Sequence, residues 1–212
     1  MQSSGIKLIN PGFRATRKGE FMHKKEVVPV IPSKEMVIGT AKAPVRLTVF
    51  GDYESAETRE LNEVIKKVFE TFKEDVNFVF RHFPLTHIHQ RAHKAAEAAI
   101  AAGQEGKFWE MHQQLLENPH ALGVISLKSH SREAGVVNKK FLEQLMNGDF
   151  GWYVQDDIRE GLELGVREIP ALFINGKMMD KPLTINRVNS AIRKELSNAK
   201  GASVKGKSRA AA

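Results

Sequence analysis

The chain has 212 residues and not one cysteine. That excludes a disulfide framework, thiolate metal sites and cysteine catalysis within it. Long apolar runs are missing too: none approaches the roughly 18 residues of a membrane-spanning helix. The segment Met1 to Asn10 has no apolar core of a secretory signal, so a cytoplasmic location is expected. There is no Gly-x-Ser-x-Gly elbow and no phosphate-binding loop. Acidic residues are scarce at the two ends. Residues 1–34 hold seven Lys/Arg against two Glu, and residues 197–212 hold four Lys/Arg and no acid. Of the net +7, this leaves −2 for residues 35–196. The folded body is therefore not basic, and a nucleic-acid partner is not expected.

What is present is an α/β pattern. A basic arm over residues 1–34 contains the turn signal Asn10-Pro11-Gly12, and Val27 to Pro32 suits an edge strand or extended arm. Val45 to Phe50 reads as a strand. Ser55 to Phe72 reads as a helix, with Leu61, Val64, Ile65, Val68, Phe69 and Phe72 on one face. Asp75 to Phe83 reads as a second strand, and a right-handed crossover makes the pair parallel. Arg91 to Ala102 is an alanine-rich helix, Lys107 to Glu117 another, and two or three short helices follow between Ile125 and Leu164. Pro170 to Ile174 is a strand, Asn175-Gly176 a hairpin turn, and Lys177 to Met179 the return. A closing helix spans Thr184 to Leu196, ahead of a disordered basic tail over residues 197–212. The aromatics Phe78, Phe80, Phe108, Trp109 and Phe173 fall at core spacing.

Four local sequences carry a resemblance. They are Gly51-Asp52-Tyr53-Glu54-Ser55-Ala56-Glu57-Thr58 after the first strand, Arg81-His82-Phe83-Pro84-Leu85, Gly106-Lys107-Phe108-Trp109-Glu110-Met111-His112, and Gly165 to Lys177 with Ile169-Pro170 inside it. In this order they resemble the DsbA-like branch of the thioredoxin superfamily, over about Lys34 to Leu196. The resemblance implies a thioredoxin-like fold over residues 35–196, with a helical insertion over about 88–164. In that branch the turn after the first strand carries Cys-x-x-Cys. Here Ser55 and Thr58 stand at the two positions. The matching proline of the family is cis and faces the redox pair, a role that falls to Pro170.

The parent chemistry needs a thiolate at a helix N-terminus and a second thiol to resolve the mixed disulfide. Ser55 and Thr58 can supply neither. Ser55 suits a helix N-cap, and Glu57 would oppose a neighbouring thiolate. Disulfide exchange is therefore excluded, although the fold alone would suggest a thiol-disulfide oxidoreductase. The expected function is non-catalytic: a peptide or protein partner held by strand addition in a groove formed by Tyr53, Ser55, Glu57, Thr58, Ile169 and Pro170. An alternative comes from kappa-class glutathione transferases, which share the plan and use a serine at the position of Ser55. They continue Ser-Pro-Tyr-Ser, whereas this chain reads Ser55-Ala56-Glu57-Thr58.

His82, His87, His89 and His93 are close in sequence, and His89 and His93 are one helical turn apart. An acidic third ligand is not evident beyond Glu97. No metal and no cofactor are expected. Ser55, His82 and Asp52 could form a catalytic triad only if the fold brings them together.

Overall fold

The computed structural model describes residues 30–209, with side chains up to Lys200. Most of the basic arm, including Val27 to Pro29, lies outside the described residues. The strands are β1 (Val37–Gly39), β2 (Val45–Gly51), β3 (Val76–His82), β4 (Ala171–Ile174) and β5 (Lys177–Met178). The helices are α1 (Ala56–Phe72), α2 (Ala92–Gly103), α3 (Phe108–Glu117), α4 (Val124–Glu133), α5 (Phe141–Asn147), α6 (Gly151–Glu163) and α7 (Ile185–Arg209).

The five strands form one sheet in the order β1-β3-β2-β4-β5. β2 and β3 are parallel, with Val49 opposite Phe80 and Gly51 opposite His82. β4 runs antiparallel to β2, and β5 antiparallel to β4. This is the α/β order expected from sequence, with the five helices α2–α6 between β3 and β4. The hairpin turn forms because Asn175 and Gly176 both take positive φ (50° and 78°), as a two-residue turn between right-twisted strands requires.

Two elements differ from the expectation. β1 is an added edge strand, antiparallel to β3. It has three residues and ends at Gly39, too short for an alternation to show in sequence. Helix α7 continues to Arg209, over a segment expected to be a disordered tail. Gly201 and Gly206 are poor helix formers, and Ala199, Ala202 and Val204 give no sustained three-and-four apolar spacing there.

Every residue of β3 is buried. On β2, Val45, Leu47 and Val49 are buried while Arg46 is exposed. Helix α1 covers the sheet with Leu61, Ile65, Val68 and Phe72, and α7 packs beside it through Val188 and Ile192. Helix α2 is buried from Ala95 to Gly103, surrounded by α3, α4, α5 and α6. Its alanines let those helices approach closely, a packing reason in addition to helix propensity.

The insertion is tied to the sheet by two carboxylates of α6, of which only Asp157 is buried. Asp157 of α6 accepts hydrogen bonds from Arg81 Nε (2.7 Å), His82 N–H (2.9 Å) and Ser33 Oγ (2.6 Å to Oδ2), and its Oδ2 lies 2.9 Å from His82 Nδ1. Arg81 also grips Glu160 with both terminal nitrogens, at 2.9 and 2.7 Å. Burial pushes the Asp157 carboxyl up, but the bonds and charges of His82 and Arg81 outweigh it and hold the group below the usual carboxylate range.

Candidate functional site

The parallel strands β2 and β3 end side by side at Gly51 and His82, and the chain turns from β2 into α1 over Asp52 to Ser55. Gly51 is required there: a Cβ would come within 2.7 Å of Thr58 Cγ2 and 2.9 Å of the Phe80 ring. The turn is closed by side chains. Asp52 Oδ1 accepts from Glu54 N–H (2.8 Å), and Oδ2 accepts from Leu85 N–H (2.8 Å) and lies 2.9 Å from His89 Nδ1.

Ser55 is the N-cap of α1. Its Oγ accepts from Thr58 N–H (3.1 Å) and donates to Glu57 Oε2 (2.9 Å). Thr58 Oγ1 accepts from Asp52 N–H (3.2 Å). Both hydroxyls are therefore occupied, and the residues are 2% and 1% exposed. Glu57 is exposed. Its own backbone N–H and the Ser55 hydroxyl hold its carboxyl below the usual range, as a carboxylate in the first turn of a helix should be. No histidine reaches Ser55: His82 pairs with Asp157, and His89 with Asp52. Ser55, His82 and Asp52 do not assemble as a triad. The committed Ser55 proton also disfavours the glutathione alternative, since the hydroxyl that would serve a bound thiolate already serves Glu57.

Ser55→Ala is accordingly expected to cost about 1 kcal/mol of stability through loss of the cap. It should also raise the Glu57 pKa toward the ordinary value. Urea denaturation and a carboxyl NMR titration check the two effects.

The remaining groove residues separate. Tyr53 does not line a groove: it is 1% exposed, its hydroxyl lies 3.0 Å from His112 Nδ1, and its ring packs on Phe80 and His82. Its place two residues before Ser55 puts it beside the turn, but its side chain points inward and its polar tip is satisfied inside. The Ile169 side chain is buried with Phe50, Phe83, Val166, Ala171 and Phe173 in a second small core. Any contact it makes with a partner therefore falls to its backbone. The Ile169–Pro170 bond is cis, and neither the N–H nor the C=O of Ile169 makes a hydrogen bond among the described residues.

Pro170 and Glu57 line a cleft of about 440 Å³. Glu60, Leu61 and Val64 of α1 form one wall, and Lys181 to Thr184 the other. Sequence reading missed this second wall. Its signal was Lys181-Pro182-Leu183, a proline and an apolar residue between the hairpin and the last helix.

The histidine cluster is also taken apart. His93 Nδ1 lies 3.1 Å from Glu97 Oε1, Lys94 joins that carboxylate at 2.8 Å, and His89 is on Asp52. Among the described residues no three His, Asp or Glu side chains are grouped to hold a metal ion.

Comparison with known proteins gives one family and one fold. The family model Thioredoxin_4, described as thioredoxin, matches residues 32–194. Oxidised BdbD from Bacillus subtilis superposes with a TM-score of 0.71 at 23% identity, over 78% of this chain and 96% of that one. The thiol-disulfide exchange protein alpha-DsbA2 from Wolbachia pipientis gives 0.63 at 17%, over 74% and 85%. Among curated proteins, Na(+)/H(+) antiporter NhaA 1 of Salinispora arenicola is 31% identical over 167 residues, 78% of this chain and 25% of that protein. The chain thus spans about a quarter of the length of the curated relatives it matches. Among the described residues no helix is long and apolar enough to cross a membrane. With the family match over most of its length, the chain belongs to the thioredoxin family, with a DsbA-like fold and no cysteine.

Proposed function

We propose that this protein binds an extended peptide segment of a partner and does no chemistry on it. The observation that carries the reading is the unpaired backbone of Ile169 beside Pro170, at the edge of the cleft between α1 and Lys181 to Thr184. An extended chain laid there gains main-chain hydrogen bonds from Ile169 and apolar contact from Leu61, Val64, Pro182 and Leu183. Glu57, Glu60 and Lys181 offer charges of both signs along the same path. Neither a thiol nor an activated hydroxyl faces the cleft, so nothing would cleave or oxidise what is bound.

A capped apolar pentapeptide carrying a fluorophore should show saturable anisotropy, with a dissociation constant between about 1 μM and 1 mM. Substituting Val64 and Leu183 with serine should weaken it about tenfold or more, one to two kcal/mol for the apolar contact removed, measured below the lowered thermal midpoint because both side chains also pack against the core. A charged residue at Ile169 or Tyr53 would instead test folding, since both side chains are in the core. Absence of saturation at about 1 mM peptide, with the domain shown folded, would remove this reading.

A further inference from the structure

A second cavity lies on another face of α1. Glu57, Glu60, Leu61 and Val64 face the peptide cleft, whereas Asn62, Ile65, Lys66 and Phe69 face a cavity of about 340 Å³. Its other walls are Ile38 of β1, Phe78 of β3, and Trp109, His112 and Gln113 of α3. The rings of Phe78 and Trp109 are 5.2 Å apart, and those of Phe69 and Phe78 6.5 Å. The size falls in the range of about 300–1,000 Å³ that holds small ligands.

The cavity has one buried polar group, the His112 ring, and its orientation can be deduced. Nδ1 lies 3.0 Å from Tyr53 Oη, and Nε2 lies 3.4 Å from Asn62 Oδ1, a long contact for a hydrogen bond. Burial, with the charges of His82 and Lys66 added, pushes the His112 pKa down to about 3, so the ring is neutral and carries one proton. Burial, then the Asp157 charge, keeps the phenol proton on Tyr53. If His112 Nδ1 carried the ring proton, the phenol proton would have no acceptor among the described residues. With the phenol donating to Nδ1, both protons are directed at acceptors, and Nε2–H makes a single long bond to Asn62 Oδ1, a side chain that itself lines the cavity.

We infer that this cavity between α1, β1, β3 and α3 is a binding site for a small, neutral, planar aromatic molecule bearing a carbonyl group. The ring lies among Phe69, Phe78 and Trp109, and the carbonyl oxygen takes the place of Asn62 Oδ1 as the acceptor of His112 Nε2–H, exchanging a long bond for a shorter one. A neutral ligand fits better than an anion. One N–H donor can satisfy a carbonyl, whereas a carboxylate would lose most of its hydration against aromatic walls. The one cation lining the cavity, Lys66, is already paired with Glu63 at 2.8 Å.

The probes are acetophenone, ethylbenzene and benzoate, titrated into the full chain carrying Trp152→Phe. Trp152 is exposed on α6, so the substitution leaves Trp109 as the single indole. Nitrogen-15 NMR then follows the Trp109 indole N–H and the His112 Nε2–H. Acetophenone should shift both saturably, and bind about tenfold or more tighter than ethylbenzene, which lacks the acceptor. Asn62→Phe, which fills the cavity, should abolish the shifts with the fold intact. Three outcomes overturn the assignment: no saturable shift with acetophenone, equal affinity for ethylbenzene, or tighter binding of benzoate.

Discussion

Asp157→Asn is expected to destabilise the protein by about 3–5 kcal/mol, the range for breaking a buried ion pair from one side. Asp157 is 2% exposed. Arg81, His82 and Ser33 all direct donors at it, and an amide cannot accept from all of them or balance the guanidinium. For a domain with a net stability of about 5–15 kcal/mol, that is a large fraction. Glu160→Gln touches the same guanidinium, yet its side chain is 42% exposed. Its loss should cost no more than about 1 kcal/mol, as for other solvated pairs. The contrast is the test. Urea unfolding of both variants should give widely separated midpoints, with α6 and β3 amides exchanging faster in Asp157→Asn. A loss below about 1 kcal/mol in that variant would mean that α6 is held by its apolar face alone. Because the folded Asp157 pKa is depressed, its contribution is complete above the unfolded carboxyl pKa and is lost as pH falls through the lower folded value.

The second large effect is at His112. Its pKa falls to about 3 in the folded protein, against an ordinary value near 6.5. Between these values the unfolded chain binds a proton that the folded chain does not. Unfolding therefore becomes easier as pH falls through that window. Below about pH 6 this one residue should remove close to 1.4 kcal/mol of stability per pH unit. His112→Gln keeps a polar partner for the Tyr53 hydroxyl but cannot titrate. The difference between wild-type and variant stability, followed by urea unfolding from pH 6.5 to about 4.5, should change with that slope. Parallel curves would show that the ring protonates inside the fold. The groups facing it are Tyr53, His82, Asn62 and Lys66, and none is an acid that could stabilise an imidazolium.

Much of the fold was legible in the sequence because its signals are local. The Ser55 cap, the three-and-four spacing of α1, the run of Val and Phe in β3 and the Asn175-Gly176 turn each depend on neighbours a few residues away. The position of the missing thiol pair was legible for the same reason. What was not legible depends on distance along the chain. Nothing near Arg81 or His82 announces that Asp157, some 75 positions later, will accept from both. Nothing near Tyr53 announces that His112 will take its hydroxyl out of solvent. The groove expected from Tyr53, Ser55 and Thr58 therefore closed into core and cap. The cleft that is present uses Lys181 to Thr184, a stretch with no periodicity.

The sheet edges carry one more consequence. β1 has three residues and β5 two, and β1 stops at Gly39, whose φ of +95° breaks the extended line. An edge that short offers another molecule almost no row of free N–H and C=O groups to copy. Among the described residues, the sheet thus offers no continuous ribbon through which copies could stack edge to edge. Self-association through the described surface would then fall to side-chain patches, such as that around the 70% exposed Trp152.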